Sequence, residues 1–399
     1  MKNLTIHQYP ERIKKSVIYE VNIRQYTPEG TIKAFIEHIP KIKKLGVEIL
    51  WLMPIQPIGK LKRKGSLGSC YSVQNFTEVN PEFGTKDDFK ELVEIAHKNG
   101  MLVLLDWVAN HSSWDNVWIY KHPEWYMQDK SGKIISPVPE WSDVAKLNYD
   151  NNQMRQEMIN SMKYWIENFD IDGFRCDMAM LVPTDFWNDA RIQLDKIKPV
   201  FMLAEAEDET DLFKTAFDMS YTWRLLHLTE DIAKGRRKAV DLIDYFLEEP
   251  KKFLPKTLRM PFTSNHDENS WNGSVYERYP NCHKTFAVFS FLIPGMPLIY
   301  NGQEVSMNKA LNFFDKDQID WKKSEMRDLY QFLIKLKKDN EALWNGEFGA
   351  KFEFAPTENN EQIFTFIREK NDNKILALFN FSDKETWVKY SSLKAYDTY

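Results

Sequence analysis

Short apolar, β-branched runs recur along the chain, each followed by a polar cluster and then by a stretch of helical periodicity. "GVEILWLMP" (46–54) is one such run. Next, "TKDDFKELVEIAHKNG" predicts a helix. Thr85 and Asp88 resemble a capping box, Phe89, Leu92, Val93 and Ala96 form an apolar stripe, and Gly100 stops it. "MLVLLD" (101–106) follows as a strand, "MRQEMINSMKYWIENF" (154–169) as a helix, and "IDGFRCD" (171–177) as a strand ending in charge. "VFMLAEAED" (200–208), "TLRMPFTSNHDEN" (257–269) and "GMPLIYNGQE" (295–304) continue the pattern. Apolar strands alternating with helices imply a parallel sheet covered on both faces. Polar residues at the C-terminal ends of several strands fit a (β/α)8 barrel, which keeps its active site there. An open doubly wound sheet is the alternative, but no glycine-rich phosphate loop follows any strand.

Two segments break the rhythm. Between His111 and about Asn151 runs a Trp- and Pro-rich stretch, too long for a simple strand-to-helix loop, which reads as an inserted subdomain (112–151). The barrel then comprises 1–111 and 152–340. From 341 to 399 the text turns to alternation in "KFEFAP", "QIFTFIRE", "KILALFNF" and "TWVKYSS", which predicts a separate antiparallel β domain. It stops abruptly at "KAYDTY", an ending that a truncated chain would give.

Composition narrows the function classes. With 58 acidic against 53 basic residues spread along the chain, there is no electrostatic footprint for nucleic acid. No apolar run reaches transmembrane length and the N-terminus lacks the apolar region of a signal peptide, so a cytoplasmic protein without a membrane partner is expected, although a chain whose signal peptide had been removed would read the same. Cys70, Cys176 and Cys282 are too scattered for a disulfide framework or a paired-cysteine metal site. The 14% aromatic content suits a site that stacks flat ligands such as sugar rings, although core packing absorbs most aromatic side chains.

Charge inside apolar text locates the chemistry. In "DGFRCDMAMLV" (172–182), Arg175 and Asp177 stand two apart and so share one face of a strand. Buried charges must be paired or used, so the stretch is a structural ion pair or part of an active site. Three further strand ends carry chemistry: "LDWVANH" (105–111), "LAEAED" (203–208) and "TSNHDEN" (263–269). A lone carboxylate there is ordinarily a solvated terminus, and Glu207 and Asp208 read that way. Four such ends converging on one barrel mouth would bring together Asp106, Asn110, His111, Arg175, Asp177, Glu205, His266 and Asp267.

These four stretches resemble the ordered signature regions of the α-amylase family of glycoside hydrolases. "YSVQNFTEVNPEFGTKDDFKELVEIAHKNGMLVLLDWVANH" and "PGMPLIYNGQE" are similar to the same family, so the resemblance spans nearly the whole chain. It implies a (β/α)8 barrel, an inserted domain after the third strand, a C-terminal β-sandwich, and retaining cleavage of α-glucosidic bonds. Carried over by position, Asp177 matches the nucleophile, Glu205 the general acid/base and Asp267 the third carboxylate. Tyr71, His111, Arg175 and His266 match residues that hold the sugar beside the scissile bond, while Asp106 and Asn110 match structural positions. The chemistry asks for these types independently: retention needs one ionised and one protonated carboxyl. Arg175 is expected to hold Asp177 ionised.

The chain also departs from the family. Met180 and Leu181 stand where endo-amylases often carry Lys and His, which weakens the expectation of a grip on long starch chains. Lys146 stands where a calcium-binding aspartate is expected and is placed to bridge to Asn110. The Asp/Asn-rich calcium loop of some relatives is absent from "NIRQYTPEGT". No metal and no cofactor are therefore expected. The function expected is hydrolysis of α-1,4-glucans or maltooligosaccharides. An α-glucosidase, an α-1,6-glucosidase or a transglycosylase is the alternative within the family, and a non-catalytic sugar-binding homologue the alternative outside catalysis.

Overall fold

The computed structural model describes residues 11–389. Eight short parallel strands form its centre: β1 (Ile18–Val21), β2 (Ile49–Leu52), β3 (Leu102–Val108), β4 (Gly173–Asp177), β5 (Phe201–Ala204), β6 (Met219–Tyr221), β7 (Leu258–Met260) and β8 (Leu298–Tyr300). The order is β8-β1-β2-β3-β4-β5-β6-β7. The ends meet through backbone hydrogen bonds, from Met296 N–H to the Arg259 carbonyl (2.8 Å) and from Leu298 N–H to the Pro261 carbonyl (3.1 Å). The sheet is thus a barrel rather than an open doubly wound layer. Every residue of β3 is buried, as a strand covered on both faces requires.

The helices that wrap the barrel follow their apolar stripes. In α1 (Lys86–Lys98), Thr85 accepts from Asp88 N–H while the Asp88 carboxylate accepts from Thr85 N–H, the expected capping box. Phe89, Leu92, Val93 and Ala96 face inward. In α2 (Asn152–Phe169), the Asn151 side chain caps the first turn and Trp165 is fully buried.

Register fixes what the barrel mouth presents. Asp106 pairs with Arg175 and Val108 with Asp177 across β3 and β4. Cys176 pairs with Ala204 across β4 and β5, and Glu205 N–H donates to the Cys176 carbonyl at 3.0 Å. The close approach of these two strands needs Gly173. Its φ is +152°, and a Cβ there would lie 1.9 Å from the Phe201 carbonyl oxygen.

The excursion after β3 begins with His111–Ser113, which pairs antiparallel with Val144–Lys146. Trp118 and Trp125 in it are buried, and Trp118 packs on Phe76, so these aromatics are core. At the C-terminal side, β9 (Glu353–Phe354), β10 (Ile363–Lys370) and β11 (Asn373–Asn380) form one antiparallel sheet. Phe364 and Phe379 on it pack against Phe289 of α5 (His283–Leu292), and Phe364 also meets Phe246 of α3 (Asp241–Lys252). Residues 386–389 of the last alternating run form no strand, and residues 390–399, which include "KAYDTY", lie outside the described residues, as does the start of the chain through Pro10. The second sheet of a sandwich is not found among the described residues.

Candidate active site

The residues singled out from sequence meet at the C-terminal mouth of the barrel. Arg175 and Asp177 end β4, Glu205 follows β5, and Asp106 lies on β3. His111 opens the strand after β3, and Tyr71 lies in the long connection after β2. His266 and Asp267 form the first turn of α4 (His266–Trp271), which the Asn265 side chain caps by accepting from Glu268 N–H. Tyr71, His111, Asp177, Glu205, His266 and Asp267 line one cleft of about 320 Å³. Arg175 lies beneath it with no exposed surface.

Arg175 organises the floor. Its Nη1 donates to both oxygens of Asp106 (2.9 and 3.2 Å) and to Asp177 Oδ1 (3.2 Å). Its Nη2 lies 2.8 Å from Glu205 Oε2, and its Nε donates to the Tyr221 hydroxyl at 3.1 Å. Asp106 also accepts from Trp51 Nε1 and from the Tyr71 hydroxyl, each at 3.0 Å, which fits a structural position. The Arg175–Asp177 pair thus braces the barrel end and lies at the floor of the cleft at once. Asp177 Oδ2, by contrast, is buried and has no hydrogen-bond partner among the described residues.

The charge balance differs from the sequence expectation. Burial pushes the Asp177 carboxyl well up, the neighbouring Glu205 adds to this, and Arg175 opposes without prevailing. Burial also raises Glu205, with Arg175 pulling down and Asp267 pushing up. Arg175 thus does not hold Asp177 below the usual carboxylate range. One guanidinium is divided among Asp106, Asp177 and Glu205, and burial keeps the carboxyls of both Asp177 and Glu205 raised.

Glu20 on β1 was not singled out from sequence. It is fully buried, and its Oε1 lies 2.5 Å from His266 Nδ1. The other ring nitrogen of His266 sits 2.7 Å from the Tyr71 hydroxyl and 3.3 Å from Asp267 Oδ2. Burial opposes charge on His266, but Asp267 and Glu20 outweigh it and hold the imidazolium to a pKa of about 9. His111, buried with no carboxylate partner among the described residues, is pushed down to about 4 by burial and is neutral. A signal for Glu20 did exist: a single carboxylate inside the apolar text "VIYEVN", the same oddity that marked Arg175. Trp141, Trp271, Phe313 and Phe314 also line the cleft and were not distinguished from ordinary packing.

Other expectations resolve as follows. Met178 bends the chain at φ 43° after Asp177, a strained conformation for a side chain of its size, and its N–H thereby reaches Glu205 Oε2 at 2.8 Å. Met180 packs against the core and Leu181 is exposed. Glu207 is not a solvated loop residue: it is buried and paired with Arg259 at 2.7 Å, while Asp208 is exposed. The Asn110 amide nitrogen sits 3.2 Å from His111 Nδ1, and its backbone carbonyl accepts from Leu147 N–H. Among the described residues, Lys146 joins the barrel side by strand pairing with His111 rather than by a side-chain bridge to Asn110. No cluster of three or more His, Cys, Asp or Glu side chains suited to a metal ion occurs among the described residues. Nor is any described helix long and apolar enough to cross a membrane.

Comparison with known proteins gives this mouth its context. The family model described as alpha-amylase, catalytic domain, matches residues 7–134 and 124–381. Alpha-amylase 2 of Dictyoglomus thermophilum is 28% identical over 407 residues, covering 93% of this chain and 67% of that protein. An alpha-amylase structure from Lactobacillus plantarum superposes with a TM-score of 0.86 at 32% identity, covering 94% of this chain and 91% of the other. The maltogenic alpha-amylase AmyB of Thermotoga neapolitana gives 0.85 at 31% identity, covering 92% and 86%. A closed parallel barrel, a carboxylate-lined mouth and a catalytic-domain match over nearly the whole chain lead to one conclusion: the chain belongs to the α-amylase family of glycoside hydrolases.

Proposed function

We propose that the chain hydrolyses α-1,4-glucosidic bonds of starch-derived glucans and maltooligosaccharides by double displacement, with Asp177 as nucleophile and Glu205 as general acid/base. The observation that carries this reading is the divided state of Asp177. Oδ1 is held by Arg175, while Oδ2 is buried with no hydrogen-bond partner among the described residues, in a residue that lines the cleft. Glu205, on the neighbouring strand, faces the other terminal nitrogen of the same guanidinium. Two carboxyls held by one guanidinium are compatible with the paired carboxylates that retention uses.

In the first step, Asp177 Oδ2 attacks the anomeric carbon and forms an ester. The glycosidic C–O bond breaks, its electron pair stays on the departing oxygen, and that oxygen takes the proton from Glu205. In the second step, water gives a proton to the Glu205 carboxylate and its oxygen attacks the anomeric carbon, which releases Asp177. The Glu205 carboxyl, raised by burial, supplies the one acid equivalent that the first step consumes. Asp267, held near the His266 imidazolium, would stabilise positive charge on the ring or grip hydroxyls. Neutral His111 and charged His266 would hydrogen-bond the sugar, with Tyr71 as its stacking face. The three free cysteines support a reducing, cytoplasmic setting.

Proton NMR of the first product from maltohexaose tests the mechanism. An α-configured reducing end is expected; a β-configured first product would replace double displacement with inversion.

A further inference from the structure

A contiguous wall runs around one side of the cleft, from His266 to His111. The Tyr71 ring stacks on His266 and lies parallel to Phe313 at 6.1 Å. Phe313 contacts Phe314 and the half-exposed Trp271, which extend an aromatic ledge outward. Beyond the ledge, Lys64 of the connection after β2 reaches across to the excursion that follows β3. Its Nζ lies 3.1 Å from Asp143 Oδ1 and donates to the Glu140 carbonyl at 2.6 Å. Trp141, in the same turn, faces His111 with ring centroids 5.6 Å apart and completes the arc.

Both sides of this bridge are anchored. The Ser72 hydroxyl donates to the Asp143 carbonyl (3.0 Å) and Trp114 Nε1 to the Ser142 carbonyl (2.9 Å). On the barrel side, Arg63 binds the Ile58 and Gly59 carbonyls, and Ser66 binds Asp315 through both its N–H and its hydroxyl. Lys64 is about one-third exposed while Asp143 is buried, so the pair itself adds little stability. Its effect is one of position.

The chemistry of the proposed reaction says which part of a glucan meets the wall. The fragment that becomes ester-linked to Asp177 keeps the non-reducing portion of the chain. The fragment that takes the Glu205 proton leaves with the reducing end. A sugar seated over Asp177 and against Tyr71 therefore extends its non-reducing neighbour away from Glu205, along the aromatic ledge, toward Lys64. The cleft volume of about 320 Å³ lies at the small end for sites that enclose a whole small ligand.

We infer that the Lys64–Asp143 bridge closes the non-reducing end of the cleft, so that the enzyme works inward from chain ends and releases a mono- or disaccharide rather than cutting glucans internally. This rests on the glucan-hydrolase reading above. Trp271 and Phe314 would stack the terminal sugar, and Lys64 would set how many sugars fit before the wall.

The test compares maltohexaose with the same oligosaccharide carrying an ethylidene cap on its non-reducing sugar, for the wild-type protein and for K64A. Wild type is expected to cleave the free oligosaccharide at least about 100-fold faster than the capped one, and K64A to narrow that ratio about tenfold or more, with longer products appearing. Wild-type cleavage of both substrates at similar rates would overturn the closed cleft while leaving the hydrolase reading intact. An unchanged ratio in K64A would overturn the role of Lys64. Failure of the wild type on the free oligosaccharide would overturn the hydrolase reading itself.

Discussion

Arg175 faces more negative charge than it can balance, since Asp106, Asp177 and Glu205 all lie within 3.2 Å of it. The consequence is a site that costs stability in its working state. An acid whose folded-state pKa lies above its unfolded value of about 3.9 carries no penalty below that pH. As pH rises past the unfolded value, the folded form loses stability until its own pKa is reached, and the penalty stays constant above. Asp177 is such an acid. D177N should therefore melt higher than wild type at pH 7, by about 1–3 °C, with the difference vanishing near pH 4. Its turnover of maltohexaose should fall at least about 10⁴-fold, because an amide forms no glycosyl ester. A lower melting temperature at pH 7 would show that the amide loses more in its contact with Arg175 than it gains. At this scale the sequence was half legible. Arg175 and Asp177 share a strand face two residues apart, so local periodicity exposes them. Glu20 and His266 are 246 residues apart, and nothing local announces that pair.

Among the elements, those with many consistent signals were readable. The helix α1 carries its cap, its stripe and its stop in one stretch, and the structure reproduces all three. T85A removes the side-chain half of a reciprocal cap on an exposed turn and should cost about 1 kcal/mol in urea unfolding, without altering the product pattern; a loss under ~0.3 kcal/mol would mean water replaces the cap. The strands β1 and β6 were not picked out, for a physical reason. Glu20 interrupts the apolar text of β1, and Asp218 and Ser220 interrupt that around β6. Asp218 is buried because Arg191 pairs with it at 3.0 Å, a partner supplied by the fold rather than by the neighbouring sequence. The stretch 257–269 likewise hides a change of state: its strand ends at Met260, and His266 and Asp267 belong to a helical turn that Asn265 caps.

For the whole molecule, the junction between the barrel and the excursion after β3 is held by backbone pairing of His111 with Lys146 and by the Leu147 to Asn110 hydrogen bond. The Asn110 amide faces His111, and Lys146 pairs with His111 through its backbone. Calcium asks for six to eight oxygen ligands, and among the described residues no group of three or more His, Cys, Asp or Glu side chains suited to a metal ion lies there. Exhaustive EDTA treatment should leave the melting temperature within about 1 °C, and a drop of several degrees reversed by added calcium would refute this, since a resident ion stabilises the fold it binds. The C-terminal sheet carries a different implication. Phe364, Phe366 and Phe379 belong to the same buried cluster as Ile18, Ile49 and Trp51 of the barrel strands, continuous through Phe289. Neither part keeps a complete apolar interior without the other. Heat should therefore melt them in one cooperative event, with calorimetric and van't Hoff enthalpies agreeing and the near-ultraviolet dichroism of these aromatic residues vanishing together with activity.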